Sequence, residues 1–288
     1  MSHSASSVEP AESETPLVYF EARRPWELID IPQLWRHRDL WLLLGYRDVQ
    51  VRYRQTVIGV IWCLLQPLAS MAIFATLFGW LGRPPADTTA PYALIVLSGV
   101  VAWQLFATIV GQATQSLVVH QSMIRKVAFP RLFLPLATVI PALLDFGISV
   151  GLILLAVWWW QVPCSLRLLL LPVATVGLLL PAIGLGVWLS ALNAQYRDIG
   201  FAVPFCLQLG FFVSPVVYQV SVLVPESWRP LFWVNPVSGM LEAFRWTLLP
   251  STPFPTAAVL VGGAVSCGLL FGGLAYFRRV ELALADCV

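Results

Sequence analysis

The side chains able to do chemistry in this sequence are mostly arginines, and they gather in a few short stretches. Arg47, Arg52 and Arg54 lie close together beside Tyr46 and Tyr53 in RHRDLWLLLGYRDVQVRYRQT (36–56). Guanidinium forks bind phosphate oxygens bidentately, so the group suits a diphosphate or lipid headgroup, or an anionic partner surface. A second group is His120, Arg125, Lys126 and Arg131 in HQSMIRKVAFPR, and a third is Asn193, Arg197 and Asp198 in LNAQYRDIG. A fourth, Asn235, Pro236, Glu242 and Arg245, lies in NPVSGMLEAFRW, where Glu242 and Arg245 at i, i+3 are placed to pair on one helical face.

Chemistry that would act alone is missing. No GxxxxGK(S/T) run is present, and the sole lysine, Lys126, has no glycine near it, so no nucleotide is expected through a P-loop. The histidines His3, His37 and His120 stand apart, and no His/Cys/Asp grouping has metal-ligand spacing. Cys63, Cys164, Cys206, Cys267 and Cys287 are scattered singly and read as small buried hydrophobes. No catalytic residue, cofactor site or metal site is assigned to this chain.

The elements that must position these groups are membrane helices. Of 288 residues, 58% are hydrophobic and only 11% charged, with a mean hydropathy of +0.78. Soluble chains carry about 25% charged residues, so this one has too few to coat a water-facing surface. The expected fold is an all-α membrane protein with six spans at about 57–81, 92–119, 132–160, 168–192, 201–218 and 256–277, within a transmembrane domain 57–277. Continuous apolar runs, without period-2 alternation, exclude a barrel. A polar extension (1–34) precedes the spans and a short tail (278–288) follows them.

Basic residues orient the array. With both termini cytoplasmic, Arg23, Arg24, Arg36, Arg38, Arg47, Arg52, Arg54, Arg125, Lys126, Arg131, Arg197, Arg278 and Arg279 lie inside, and Arg83, Arg167, Arg229 and Arg245 outside.

Two segments are not expected to cross. In 35–56, Leu42, Tyr46, Val49 and Tyr53 recur on one side of a helix with Arg47 and Arg54 opposite. The segment reads either as an amphipathic helix in the headgroup plane or as a solvated helix bridging to the first span. The stretch 219–255 is cut by prolines 225, 230, 236, 250, 253 and 255. It reads as short re-entrant helices shielded by protein, or else as a soluble cap.

Asp145 is the one acid inside the expected spans. An ionisable residue there costs about 2.5–3.5 kcal/mol to insert. It is either functional or a structural carboxyl satisfied by groups such as Gln104 or Gln208. Trp158, Trp159 and Trp160 end the third span as an interfacial belt or, for one or two of them, a sugar-stacking surface.

Three motifs in order carry a resemblance. GYRDVQVRYRQTVIGVIWCLLQPL (45–68), with Thr56, Gly59, Trp62, Gln66 and Pro67, is similar to the start of the membrane subunit of type-2 ABC exporters of cell-surface polysaccharide, the O-antigen, capsule and teichoic acid export family. LNAQYRDIG (192–200) resembles that family's joint between spans four and five. SPVVY (214–218), followed by VPESWRP and NPVSGMLEAFRW, resembles its outer gate. The resemblance runs from about Arg36 onward and implies a homodimer beneath which two ATPase subunits, holding ATP and Mg, dock. It implies docking at His120, Arg125, Lys126, Arg131, Asn193, Arg197 and Asp198, although ordinary positive-inside charge explains the basic residues equally.

The expected cargo is a lipid-linked polysaccharide, O-antigen first, crossing the bacterial inner membrane. Arg47, Arg52 and Arg54 would meet its diphosphate; Tyr46, Tyr53, Trp62, Trp103 and Tyr218 would offer rings to the sugars; 219–255 would close the outer mouth. Two other classes stay open: a proton- or ion-coupled carrier using Asp145, and a membrane enzyme of lipid-linked sugars.

Overall fold

The computed structural model describes residues 35–36, 38–54, 59–80, 91–124, 126, 129–163, 165–249 and 254–286. The extension 1–34, the junction 55–58 with Thr56, the loop holding Arg83, and Arg125 lie outside them, as do the side chains of 59–60 and 282–286. The described residues are helices and connections, with no strand among them.

Helix α1 is Arg38–Arg54 and α2 is Gly59–Trp80. Helix α3, Tyr92–Val119, follows directly on Pro91, whose fixed φ suits a helix start. A single turn, α4, covers Gln121–Ile124. Phe133–Ala137 (α5) and Val139–Trp159 (α6) run on with a break at Thr138, and a 3-10 turn at Leu166–Leu170 leads into α7, Leu171–Gln195. Then come α8 (Ile199–Val213), α9 (Val220–Leu223), α10 (Arg229–Val234), α11 (Pro236–Leu248) and α12 (Thr256–Asp286).

Among the described residues, five helical stretches are long and apolar enough to cross a membrane: Ile61–Trp80, Tyr92–Val119, Phe133–Trp159, Leu166–Gln195 and Thr256–Glu281. The stretch expected as the fifth span, 201–218, is helical only over Ile199–Val213. Fifteen residues rise about 22 Å, short of the roughly 30 Å hydrocarbon core. Hydropathy counted Ser214–Tyr218 as helix because those residues are apolar, but Pro215 donates no amide and the chain turns there.

The core lies along α3, most of which is buried between α7, α2, α6, α8 and α11. Bilayer helices gain no hydrophobic drive from touching each other, so packing rests on close approach. At the α7–α12 crossing a Cβ on Gly273 would sit 2.5 Å from the Gly184 carbonyl, a spacing only glycine permits.

Helix α1 packs on the bundle through a face beside the one that carries Leu42 and Tyr46. Leu44 and Gly45 are buried, with Leu40 and Trp41 beside them, and Gly45 lies too close to Ile140 to carry a side chain. Leu42 and Tyr46 face outward, 51% and 60% exposed. The run LWLLL supports several helical phases, and the fit of Gly45 to α6 selects one.

Candidate functional site

A cavity of about 630 Å³ opens between α2, α3, α6 and α8. Trp62, Phe74, Trp103, Phe211 and Phe212 give it aromatic walls, and Gln66, Ser70, Gln104, Thr108 and Gln208 set polar groups among them. Helical spacing explains the strip: Gln66 and Ser70 are one turn apart on α2, as are Gln104 and Thr108 on α3. Gln66 and Gln208 stand exposed on helices otherwise suited to lipid. A bare amide in hydrocarbon is costly, so this face looks onto water or protein.

At one end of the cavity stands a charged cluster. The Arg52 Nη2 is 2.8 Å from Asp145 Oδ2. The Tyr53 hydroxyl donates to Asp145 Oδ1, and the Cys63 thiol donates to the same oxygen at 3.2 Å. Burial, then the adjoining carboxylate, pushes the Tyr53 phenol well above its ordinary range, which keeps it a donor. Asp145 is thus satisfied by α1 and α2; Gln104 and Gln208, the partners weighed from sequence, line the same cavity. A helix lying apart from the spans would not reach this acid; α1 packs on α6 and brings Arg52 and Tyr53 to it.

The other arginines of α1 take separate positions. Arg47 pairs with Asp48 at 2.8 Å and reaches His120 Nε2 at 2.5 Å. Arg54 is exposed. The three guanidiniums therefore do not converge on one point. Among the expected ring contacts, Trp62 is exposed at the cavity, while Trp103 is buried against Phe106 and Phe211. Tyr46 faces outward, and Tyr218 donates to the Val213 carbonyl at the opposite end of the bundle.

Beyond α3, His120 ends the helix, Lys126 is exposed, and the Arg131 amide donates to Glu281 of α12 at 3.3 Å. Arg197 and Asp198 stand exposed between α7 and α8. Asn193 does not join them. It is 1% exposed and donates to the Thr114 carbonyl at 2.8 Å, fixing the α3–α7 crossing. Its short spacing to Arg197 suggests a shared surface, yet Asn193 lies within α7 and faces α3, whereas Arg197 lies beyond the helix end at Gln195.

At the other end of the bundle, Asn235 Oδ1 accepts the Val237 amide at 3.1 Å, capping α11 with Pro236 at its first position. Arg245, buried at 3% exposure, does not form the expected ion pair with Glu242. Its Nη1 donates to the carbonyls of Pro215 (2.6 Å) and Tyr218 (2.9 Å), and Nη2 to that of Val216. The Tyr92 hydroxyl donates to the intervening carbonyl of Val217 at 2.7 Å. Four consecutive non-helical carbonyls are thereby satisfied, as burial requires. The Glu242 carboxyl, raised by burial, faces the Val220 amide.

The family model for the ABC-2 type transporter aligns with residues 39–249. The chain belongs to that family. It is a transport subunit, and in the family ATP hydrolysis resides on a separate subunit. It is 29% identical to the O-antigen export system permease protein RfbA of Myxococcus xanthus, over 88% of this chain and 97% of that protein. It is 27% identical to the Klebsiella pneumoniae protein of the same name (86% and 94% covered). A third relative, the polysialic acid transport protein KpsM of Escherichia coli, is 24% identical over 84% of this chain and 93% of that one.

Proposed function

We propose that this chain is half of a conduit exporting a lipid-linked polysaccharide, with O-antigen as the cargo, across the bacterial inner membrane. The polar strip of Gln66, Ser70, Gln104, Thr108 and Gln208 inside an otherwise apolar bundle carries the reading. Aromatic faces with scattered amides accept sugars of varied hydroxyl pattern, which a growing polymer requires. The relatives named for O-antigen and polysialic acid export support the class of cargo.

In this reading a second copy covers the exposed face of α2 and α8, closing two half-cavities into one channel. The chain crosses six times, α8 and Ser214–Tyr218 completing the fifth crossing, with both termini cytoplasmic. Helix α1 lies in the inner headgroup plane, its outward Leu42, Leu43, Tyr46 and Val51 against lipid, and Arg54 meets the cargo's diphosphate. Helices α9 to α11 form the re-entrant outer gate. Two ATPase subunits binding ATP and Mg dock on the loops bearing Arg125 and Lys126, and Arg197 and Asp198.

The test is complementation of a strain lacking this chain. Gln66→Leu with Gln208→Leu should abolish polysaccharide at the cell surface while the chain still co-purifies with its ATPase. Undiminished export by the double variant overturns the conduit reading.

A further inference from the structure

Helix α1 touches two parts of the molecule through two of its arginines. Arg52 pairs with Asp145 at the cavity wall, and Arg47 meets His120 where α3 ends and the α4 loop begins. The five-residue step from Arg47 to Arg52 rises about 7.5 Å along one rigid helix.

The His120 contact is directional. Its Nδ1 lies 2.9 Å from the Ser116 carbonyl, which only accepts, so Nδ1 carries the proton. Nε2 then presents a lone pair, and Arg47 donates to it. Asp48, on the next residue of α1, holds the Arg47 guanidinium through two of its nitrogens.

The Asp145 contact is replaceable. Arg52 meets one carboxylate oxygen while Tyr53 and Cys63 serve the other, and both charged side chains border the cavity. A phosphate oxygen reaching that wall offers Arg52 the same chemistry as Asp145, with more charge and fork-shaped geometry.

We infer that Asp145 and His120 are positioning residues at the two ends of a transmission helix: an anionic diphosphate headgroup draws Arg52 from Asp145, and α1 carries the change through Arg47 and His120 to the ATPase-docking loop. This rests on the proposed export function and adds a means by which ATP hydrolysis responds to cargo. The two states differ at the Arg52–Asp145 contact, and the ligand binds the released one more tightly, as a population shift requires.

The experiment uses the complex of this chain with its ATPase subunit in liposomes, with or without polyprenyl diphosphate in the bilayer, and separately with inorganic pyrophosphate in solution. Polyprenyl diphosphate should raise wild-type ATP hydrolysis about fivefold or more. Pyrophosphate alone matching that rise would assign the site to free anion and overturn the lipid-headgroup statement. Asp145→Asn, and independently Arg52→Gln, should raise the lipid-free rate toward the stimulated one. His120→Ala should hold the ratio of stimulated to lipid-free rate near one, and Asp145→Asn with His120→Ala should behave as His120→Ala does. The swap Arg52→Asp with Asp145→Arg should restore the low lipid-free rate without restoring stimulation. Additive effects of Asp145→Asn and His120→Ala, or an unchanged lipid-free rate in both Asp145→Asn and Arg52→Gln, overturn the inference. If the wild-type complex exports no polysaccharide at all, the function itself falls instead.

Discussion

Arg245 and Arg52 are both drawn into the protein, and they are held in opposite ways. Arg245 donates to three backbone carbonyls of a turn, at 3% exposure. Arg52 pairs with a carboxylate at the edge of a cavity, the two side chains 37% and 16% exposed. Backbone carbonyls cannot rotate away, and no ligand substitutes for the cation that satisfies them. A carboxylate has other rotamers, water at hand, and competitors of its own charge. One arginine fixes a fold element; the other makes a contact that can be exchanged.

Breaking the first should therefore hurt most. Arg245→Leu strands buried carbonyls at roughly 1–3 kcal/mol each, so membrane yield should collapse. Recovery of normal amounts with an unchanged melting temperature would erase the contrast. Gly99→Val probes the same turn, since a Cβ there collides with the Val216 carbonyl and the Arg245 guanidinium. It should lower stability by about 1–3 kcal/mol, read as a fall in Tm in detergent. Asn193→Ala removes the donor from the buried Thr114 carbonyl and should cost about 1 kcal/mol in the same assay.

Breaking the second should change activity more than folding. Partial exposure screens the Arg52–Asp145 pair, so Asp145→Asn should move stability by no more than about 1 kcal/mol. Equal losses of Tm in Asp145→Asn and Arg245→Leu would show that the two arginines play one role. The smallest effect belongs to Glu226→Ala, whose exposed carboxylate pairs with Arg229, within about 1 kcal/mol by thermal melt.

Much of the scaffold was legible because length and apolarity alone define a bilayer helix, and α3, α6, α7 and α12 lie where those signals put them. The fifth span misled because Val216, Val217 and Tyr218 are as apolar as helix residues, while the turn depends on Arg245 nearly thirty positions away. The face of α1 was hidden by an unbroken LWLLL run whose phase depends on Gly45 meeting Ile140. Asp145 stood out as an acid in a span, yet its partners Arg52, Tyr53 and Cys63 come from elements remote in sequence. Gln66, Gln104 and Gln208 did carry a readable sign of the cavity, being amides in apolar runs. Their convergence is tertiary, and no periodicity within one helix reveals it.

In the proposed function this chain is a passive half-channel driven by another subunit's ATP hydrolysis. The direct measurement is movement of lipid-linked polysaccharide across liposomes containing the purified chain, with and without the ATPase subunit and ATP. The account predicts transport only when both subunits and hydrolysable ATP are present; polysaccharide crossing with the chain alone would contradict it.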